Sequence, residues 1–203
     1  MQTERLRRLA RDERLAGLAG FLWGCAEGLF FFIVPDVYIS FAALFSLRAG
    51  AVAWVSSIAG SAVAVFVISL LARSPGVDYM SFLQSIPGIS GALVERVTGK
   101  VAAEGLPYTA LLALGGVPLK VYAAIAFSLG SSLGSVLLWT VFARIVRIAP
   151  TYAGAATIGL LFRRAIDARP RLWTALLACF WLAFYIYYFI RMGASSTAHP
   201  TGP

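Results

Sequence analysis

Between Ala49 and Ala72 the chain runs for twenty-four residues without a charged side chain, and between Leu172 and Ile190 for nineteen. An α-helix rises 1.5 Å per residue, so each run is long enough to cross the roughly 30 Å of hydrocarbon in a bilayer. A soluble fold of 203 residues has no interior able to cover two such helices on every side. Charged residues make up 13% of the chain, about half the share found in soluble domains. The expected class is therefore an all-α integral membrane protein, with spanning helices near 49–72, 131–148 and 172–190.

The net charge of +8 does not point to nucleic acid. The basic residues sit beside the apolar runs, without interleaved stacking aromatics or a recognition motif, so an anionic lipid surface is the expected partner. Cys25 and Cys179 lie inside apolar sequence without CxxC spacing, and His199 stands alone in a polar tail. No metal site, disulfide framework or cofactor is expected from such residues. Glu27 and Asp36 belong to no HExxH motif, and Ser40 and Ser128 have no recognisable base, so no enzyme activity is expected either.

From Leu15 to Leu47 the chain carries no base but contains Glu27, Pro35 and Asp36. Acids at membrane depth are costly, which makes them functional candidates. After Pro35, the eleven residues Val37–Leu47 reach only about 16 Å as a helix, too short to cross. The segment 15–47 is expected to be a re-entrant hairpin, with Pro35 removing a backbone donor at its tip. Gly20, Gly24 and Gly28 recur every fourth residue and form a face along which a second helix can approach closely.

Beyond Arg73 a polar stretch, 74–104, holds an amphipathic helix in which Ile89, Leu93, Val97 and Val101 share one face. The first pattern then returns. Glu27-Gly28-Leu29, Val34-Pro35-Asp36-Val37-Tyr38 and Phe45-Ser46-Leu47 are echoed by Glu104-Gly105-Leu106, Val117-Pro118-Leu119-Lys120-Val121-Tyr122 and Phe127-Ser128-Leu129. A second hairpin, 105–130, is expected, broken at Gly115, Gly116 and Pro118. The rival reading takes Val121–Ala143 as one plain spanning helix.

With two hairpins and three spanning helices, twelve bases gather on one side and Arg73, Arg96, Lys100 and Arg191 on the other. The positive-inside rule then places the amino terminus, including a basic helix over 1–14, in the cytoplasm and a disordered tail, 193–203, outside. The two halves have opposite orientations. Inverted repeats of this kind are a transporter signature, with the site at the repeat interface.

The residues that carry the repeat resemble those of a known family. Ala26-Glu27 with its aromatic run and Pro35-Asp36, then Gly115-Gly116-Val117-Pro118-Leu119-Lys120, then Arg144 and Arg147, resemble the DedA family, also called the VTT or SNARE-associated domain family, in its YqaA-like branch. The similarity runs from about residue 20 to 165. Val34 stands where a second proline is common, and Phe142-Ala143-Arg144-Ile145-Val146-Arg147 is a looser arginine motif. The resemblance implies a multi-pass protein of the bacterial inner membrane that moves undecaprenyl phosphate or phospholipid between leaflets, coupled to protons.

The residue chemistry suits that expectation. Opposed hairpin tips would bring Asp36 near Lys120, with Glu27 on the first arm, around a phosphate-sized space. The alternative for Asp36 and Lys120 is an ion pair clamping the hairpins, and Arg144 and Arg147 serve equally as head-group ligands or as anchors at a helix end. Two further functional readings stay open at this point, a proton-coupled carrier of small solutes or ions and a non-transporting membrane scaffold. Homo-oligomerisation is open as well.

Overall fold

The computed structural model describes residues 10–107 and 116–197, with side chains as far as Ile190. Nine helices and no strand occur among the described residues. Three of them, α3 (Leu47–Leu71), α7 (Leu133–Leu161) and the Pro170–Ile190 part of α9 (Pro170–Thr197), are long and apolar enough to span a bilayer. The chain is an all-α, multi-pass membrane protein.

The amino-terminal half is a broken helix followed by a long one. Asp12 caps α1 (Glu13–Leu29) by accepting hydrogen bonds from the amides of Arg14 and Leu15, the ordinary use of a carboxylate at a helix start. The chain then breaks, and α2 (Asp36–Phe45) begins directly after Pro35, where the missing amide costs no helical bond. At 10 residues α2 extends about 15 Å. Its last residue, Phe45, accepts a hydrogen bond through its carbonyl from Arg11, just ahead of α1. The two arms thus start and finish on the same side of the molecule. Ser46 ends α2 and caps α3.

The glycine face of α1 lies against α3. A side chain at Gly20 or Gly24 would collide with the backbone of Ala53 or Ser57, and one at Gly60 with the backbone of Phe21. The two helices touch at backbone distance, as small residues permit in membrane packing.

The described part of the second half also sets a short helix ahead of a long one. Gly116 has φ +87°, and α6 (Leu119–Ser128) starts directly after Pro118. The expected break residue Gly115, and most of the first arm of the expected hairpin 105–130, lie outside the described residues, as does most of the expected helix 1–14. A continuous Val121–Ala143 helix is not what forms. The chain stops after Ser128, turns at Gly130 with φ +82°, and restarts at α7 under a Ser132 cap. The α3 and α7 helices run antiparallel. Tyr152, late in α7, reaches the Leu47 carbonyl at the start of α3, while Val65 and Ile68, late in α3, share a cluster with Val136, early in α7.

Two boundaries differ from the sequence expectation. The α7 helix continues to Leu161 rather than ending near 148, despite Pro150 within it. Small residues explain this: Ala155 and Ala156 pack on Ala43, and a side chain at Gly159 would lie 2.6 Å from the Leu44 carbonyl oxygen. Burial along α2 outweighs the one helical bond that a proline removes. After the short α8 (Arg163–Ala168), α9 runs to Thr197, into the region expected to be a disordered tail from 193. Arg11 also pairs with Asp167 at 2.7 Å, joining the amino-terminal segment to α8.

Between the halves, the polar stretch forms α4 (Tyr79–Gln84) and α5 (Gly91–Glu104). Asp78 caps α4, and the Ser81 hydroxyl and amide hold its carboxyl below the usual range. The expected apolar face of α5 is present: Leu93, Val97 and Val101 are buried against α6, and Lys100 and Glu104 pair at 3.0 Å on the outside. Every residue of α6 from Leu119 to Phe127 is buried.

Candidate functional site

The break between α1 and α2 exposes backbone that no helix satisfies, and in an apolar setting each such group needs a partner. Side chains from four helices supply them. The Lys120 ammonium, on α6, donates to the carbonyls of Glu27 at 2.7 Å and Phe31 at 2.9 Å. Tyr79 on α4 donates to the Leu29 carbonyl, and Trp23 on α1 to that of Ile33. On the other flank the Val34 amide donates to the Tyr185 hydroxyl of α9 at 2.8 Å. Lys120 is a cation placed where the last carbonyls of α1 point, at the negative end of its dipole.

Two acid–base pairs flank this cap. Glu27, in the last turn of α1, forms an ion pair and hydrogen bond with Arg144 of α7, and both are sealed from solvent. Asp36 opens α2, where the helix dipole favours a carboxylate. Its Oδ1 accepts from the Thr151 hydroxyl at 3.0 Å. Its Oδ2 lies 3.4 Å from Arg147 Nη2 and accepts no hydrogen bond from any described residue. One turn into α2, the Ser40 hydroxyl accepts from the Trp181 indole N–H at 2.9 Å and donates to the Val37 carbonyl at 3.0 Å.

All five sequence-selected charges therefore converge, but not in the expected pairing. Lys120 bonds to backbone rather than to Asp36, and the two arginines take the acids. The bases on α7 are three residues apart, which puts both on the face turned toward α1 and α2. Pro35 and Pro118 each stand directly before a ten-residue helix, with Gly116 in the left-handed turn before the second.

Beside the Asp36 pair lies a cavity of about 590 Å³ between α2, α7 and α9, a size within the roughly 300–1,000 Å³ of small-molecule sites. Asp36, Ser40, Arg147 and Thr151 line one end. Leu44, Ile158, Trp173 and Leu177 line the other, toward α8. One wall is α9, whose attachments to the break region are Trp181, Tyr185 and the Phe32–Phe189 ring contact.

Thr151, Trp181 and Tyr185 were not singled out in the sequence. Their signal is spacing: Thr151 falls one turn after Arg147, and Trp181 and Tyr185 one turn apart, so each pair shares a face. The arrangement defines a multi-pass helical membrane protein with a buried charge cluster at a broken helix and a lateral cavity next to it. Comparison with known protein families, with curated proteins and with solved structures finds no match.

Proposed function

We propose that this chain is a membrane transporter of the DedA type, which moves a phosphorylated lipid, phospholipid or polyprenyl phosphate, across the bacterial inner membrane with proton coupling. In this reading the two halves are inverted repeats, each a re-entrant hairpin plus a spanning helix, and the amino terminus is cytoplasmic. The meeting of Arg11 with Phe45, the ten-residue length of α2 and α6, and the antiparallel course of α3 and α7 support that topology.

The observation that carries the reading is the cavity, polar where Asp36 and Arg147 stand and apolar along the rest of its length. A lipid has the same division. Arg147 offers a guanidinium fork suited to phosphate oxygens, while Asp36 Oδ2, buried and short of a hydrogen bond, leaves an acceptor open to a donor on the cargo. Three cations against two carboxylates leave the cluster one positive charge in excess, which an anionic head group balances.

The test is reconstitution into liposomes under an imposed proton gradient, following labelled phosphatidylethanolamine, phosphatidylglycerol and undecaprenyl phosphate between leaflets. Gradient-dependent movement of one of them, lost in Asp36→Asn and Arg147→Gln, is the expected result. An unchanged leaflet distribution for all three overturns the reading, and solute flux without lipid movement selects a small-solute carrier instead.

A further inference from the structure

The cavity is chemically ordered along its length, and the order assigns a direction to whatever lies in it. On α7 the lining passes from Arg147 through Thr151 and Gly154 to Ile158, about 16 Å of helix at 1.5 Å per residue. The facing wall, α9, runs the opposite way: Tyr185 meets Val34, Trp181 meets Ser40, and the Trp173 ring lies tilted against Phe162. On α2, which runs alongside α7 in the same sense, the lining passes from Asp36 through Ser40 to Leu44. These two walls thus turn from polar to apolar together, away from the break and toward α8, while α9 lines the cavity with apolar and aromatic side chains throughout. Two observations show that the polar end is suited to a ligand. Arg147 faces the cavity with about a quarter of its side chain exposed, and the almost wholly buried Asp36 has an oxygen without a donor.

We infer that the cavity binds one membrane lipid in a fixed orientation, its anionic head group between Arg147, Asp36 and Thr151 at the centre of the molecule and a hydrocarbon chain along α7 and α9 toward α8. A lipid is the occupant that satisfies both ends. A small anion leaves the lining of Leu44, Ile158, Trp173 and Leu177 facing nothing, and an uncharged hydrocarbon leaves Arg147 and the Asp36 oxygen without partners. In its naming of a lipid this rests on the transport reading, but it concerns where one molecule sits and not whether it crosses. The consequence is geometric: a head group at mid-depth with its chain pointing to the arginine-rich α8 side. A lipid at rest in the leaflet on that side has the reverse orientation.

Photo-crosslinking of the full chain in phosphatidylcholine liposomes tests this, using phosphatidate that carries a diazirine either at the methyl end or near the carboxyl end of one acyl chain. The methyl-end probe is expected to label Ile158, Trp173 and Leu177. The carboxyl-end probe is expected to label Thr151, Trp181 and Phe184. Arg147→Gln should lower both about tenfold, the loss of one charge-assisted hydrogen bond. Leu177→Trp, which fills the apolar half and leaves the charges alone, should abolish the methyl-end labels. Lipid-facing Leu138 serves as the background. Reversed order, labels no stronger than at Leu138, or labels unmoved by both substitutions would overturn the inference. Ordered labels in a protein that moves no lipid overturn the transport reading alone, and movement with reversed labels overturns the orientation alone.

Discussion

The two acid–base pairs share α7, one tying it to α1 and the other to α2, and are built for different ends. Glu27 and Arg144 are both enclosed, with side-chain exposures of 4–5%, and bond directly. Asp36 is as deeply enclosed, but Arg147 is 23% exposed, stands 3.4 Å away, and leaves Oδ2 without a hydrogen bond. One pair has its needs met inside the protein. The other meets a cavity wall with valence to spare. The first pair belongs to the support that holds α1 against α7, and the second to the cavity wall that α2 and α7 present.

The largest effect that follows is on stability, and it should fall on the enclosed pair. Removing one member strands the other charge in a low-dielectric interior, which costs about 3–5 kcal/mol. Glu27→Gln or Arg144→Gln should therefore sharply reduce the yield of monodisperse protein and its melting temperature in detergent. The double substitution should recover most of the loss, because neutral partners leave no stranded charge. Additive losses in that cycle would show that the pair is not coupled.

Lys120 comes next. Its two carbonyl acceptors lose their donor in Lys120→Met, and an unmet buried acceptor costs about 1–3 kcal/mol. The expected outcome is intermediate destabilisation, with faster hydrogen exchange at the amides of the break than at those of α3. Were Lys120 the partner of Asp36, Asp36→Asn would relieve the Lys120→Met defect. The geometry predicts no such rescue.

This is also where sequence and structure part. The spanning helices α3 and α9 were legible because charge-free runs of that length have one use, and the α1–α3 contact because glycines at four-residue spacing let a second helix approach closely. Helix starts after Pro35 and Pro118 follow from the fixed φ and absent donor of proline. Partner choice among Glu27, Asp36, Lys120, Arg144 and Arg147 was not legible, since opposite charges attract at any pairing and rotation of α7 about its axis decides which face which. The length of α7 was hidden for a related reason. Local chemistry argues for a stop near Pro150, and only the small-residue contact with α2 reverses it.

Tyr185→Phe is expected to be smaller again, about 1–2 kcal/mol, because it removes the acceptor of a single amide, that of Val34. It reports on the attachment of α9 to the break. Loss of the hydroxyl should increase hydrogen exchange at Val34 and in the adjoining turn of α9, while α1 and α3 remain protected. Equal exchange in both proteins would mean that the ring contacts alone hold α9 in place.

The smallest stability effect, and the one that separates the pairs most clearly, is expected for Arg147→Gln. Arg147 is partly exposed and makes no direct hydrogen bond to Asp36, so water entering the cavity can take its place beside the carboxylate, and the Thr151 hydroxyl still satisfies Asp36 Oδ1. The variant should therefore melt within a few degrees of the parent protein. On the proposed function, its lipid movement should nonetheless fall at least tenfold, because a guanidinium that meets a phosphate contributes a charge-assisted hydrogen bond only when the ligand is present. Arg147→Lys sharpens the point by keeping the charge without the planar fork, and partial recovery of transport is expected from it. A variant as unstable as Glu27→Gln would place Arg147 with the supporting pair, and the distinction between the two would disappear.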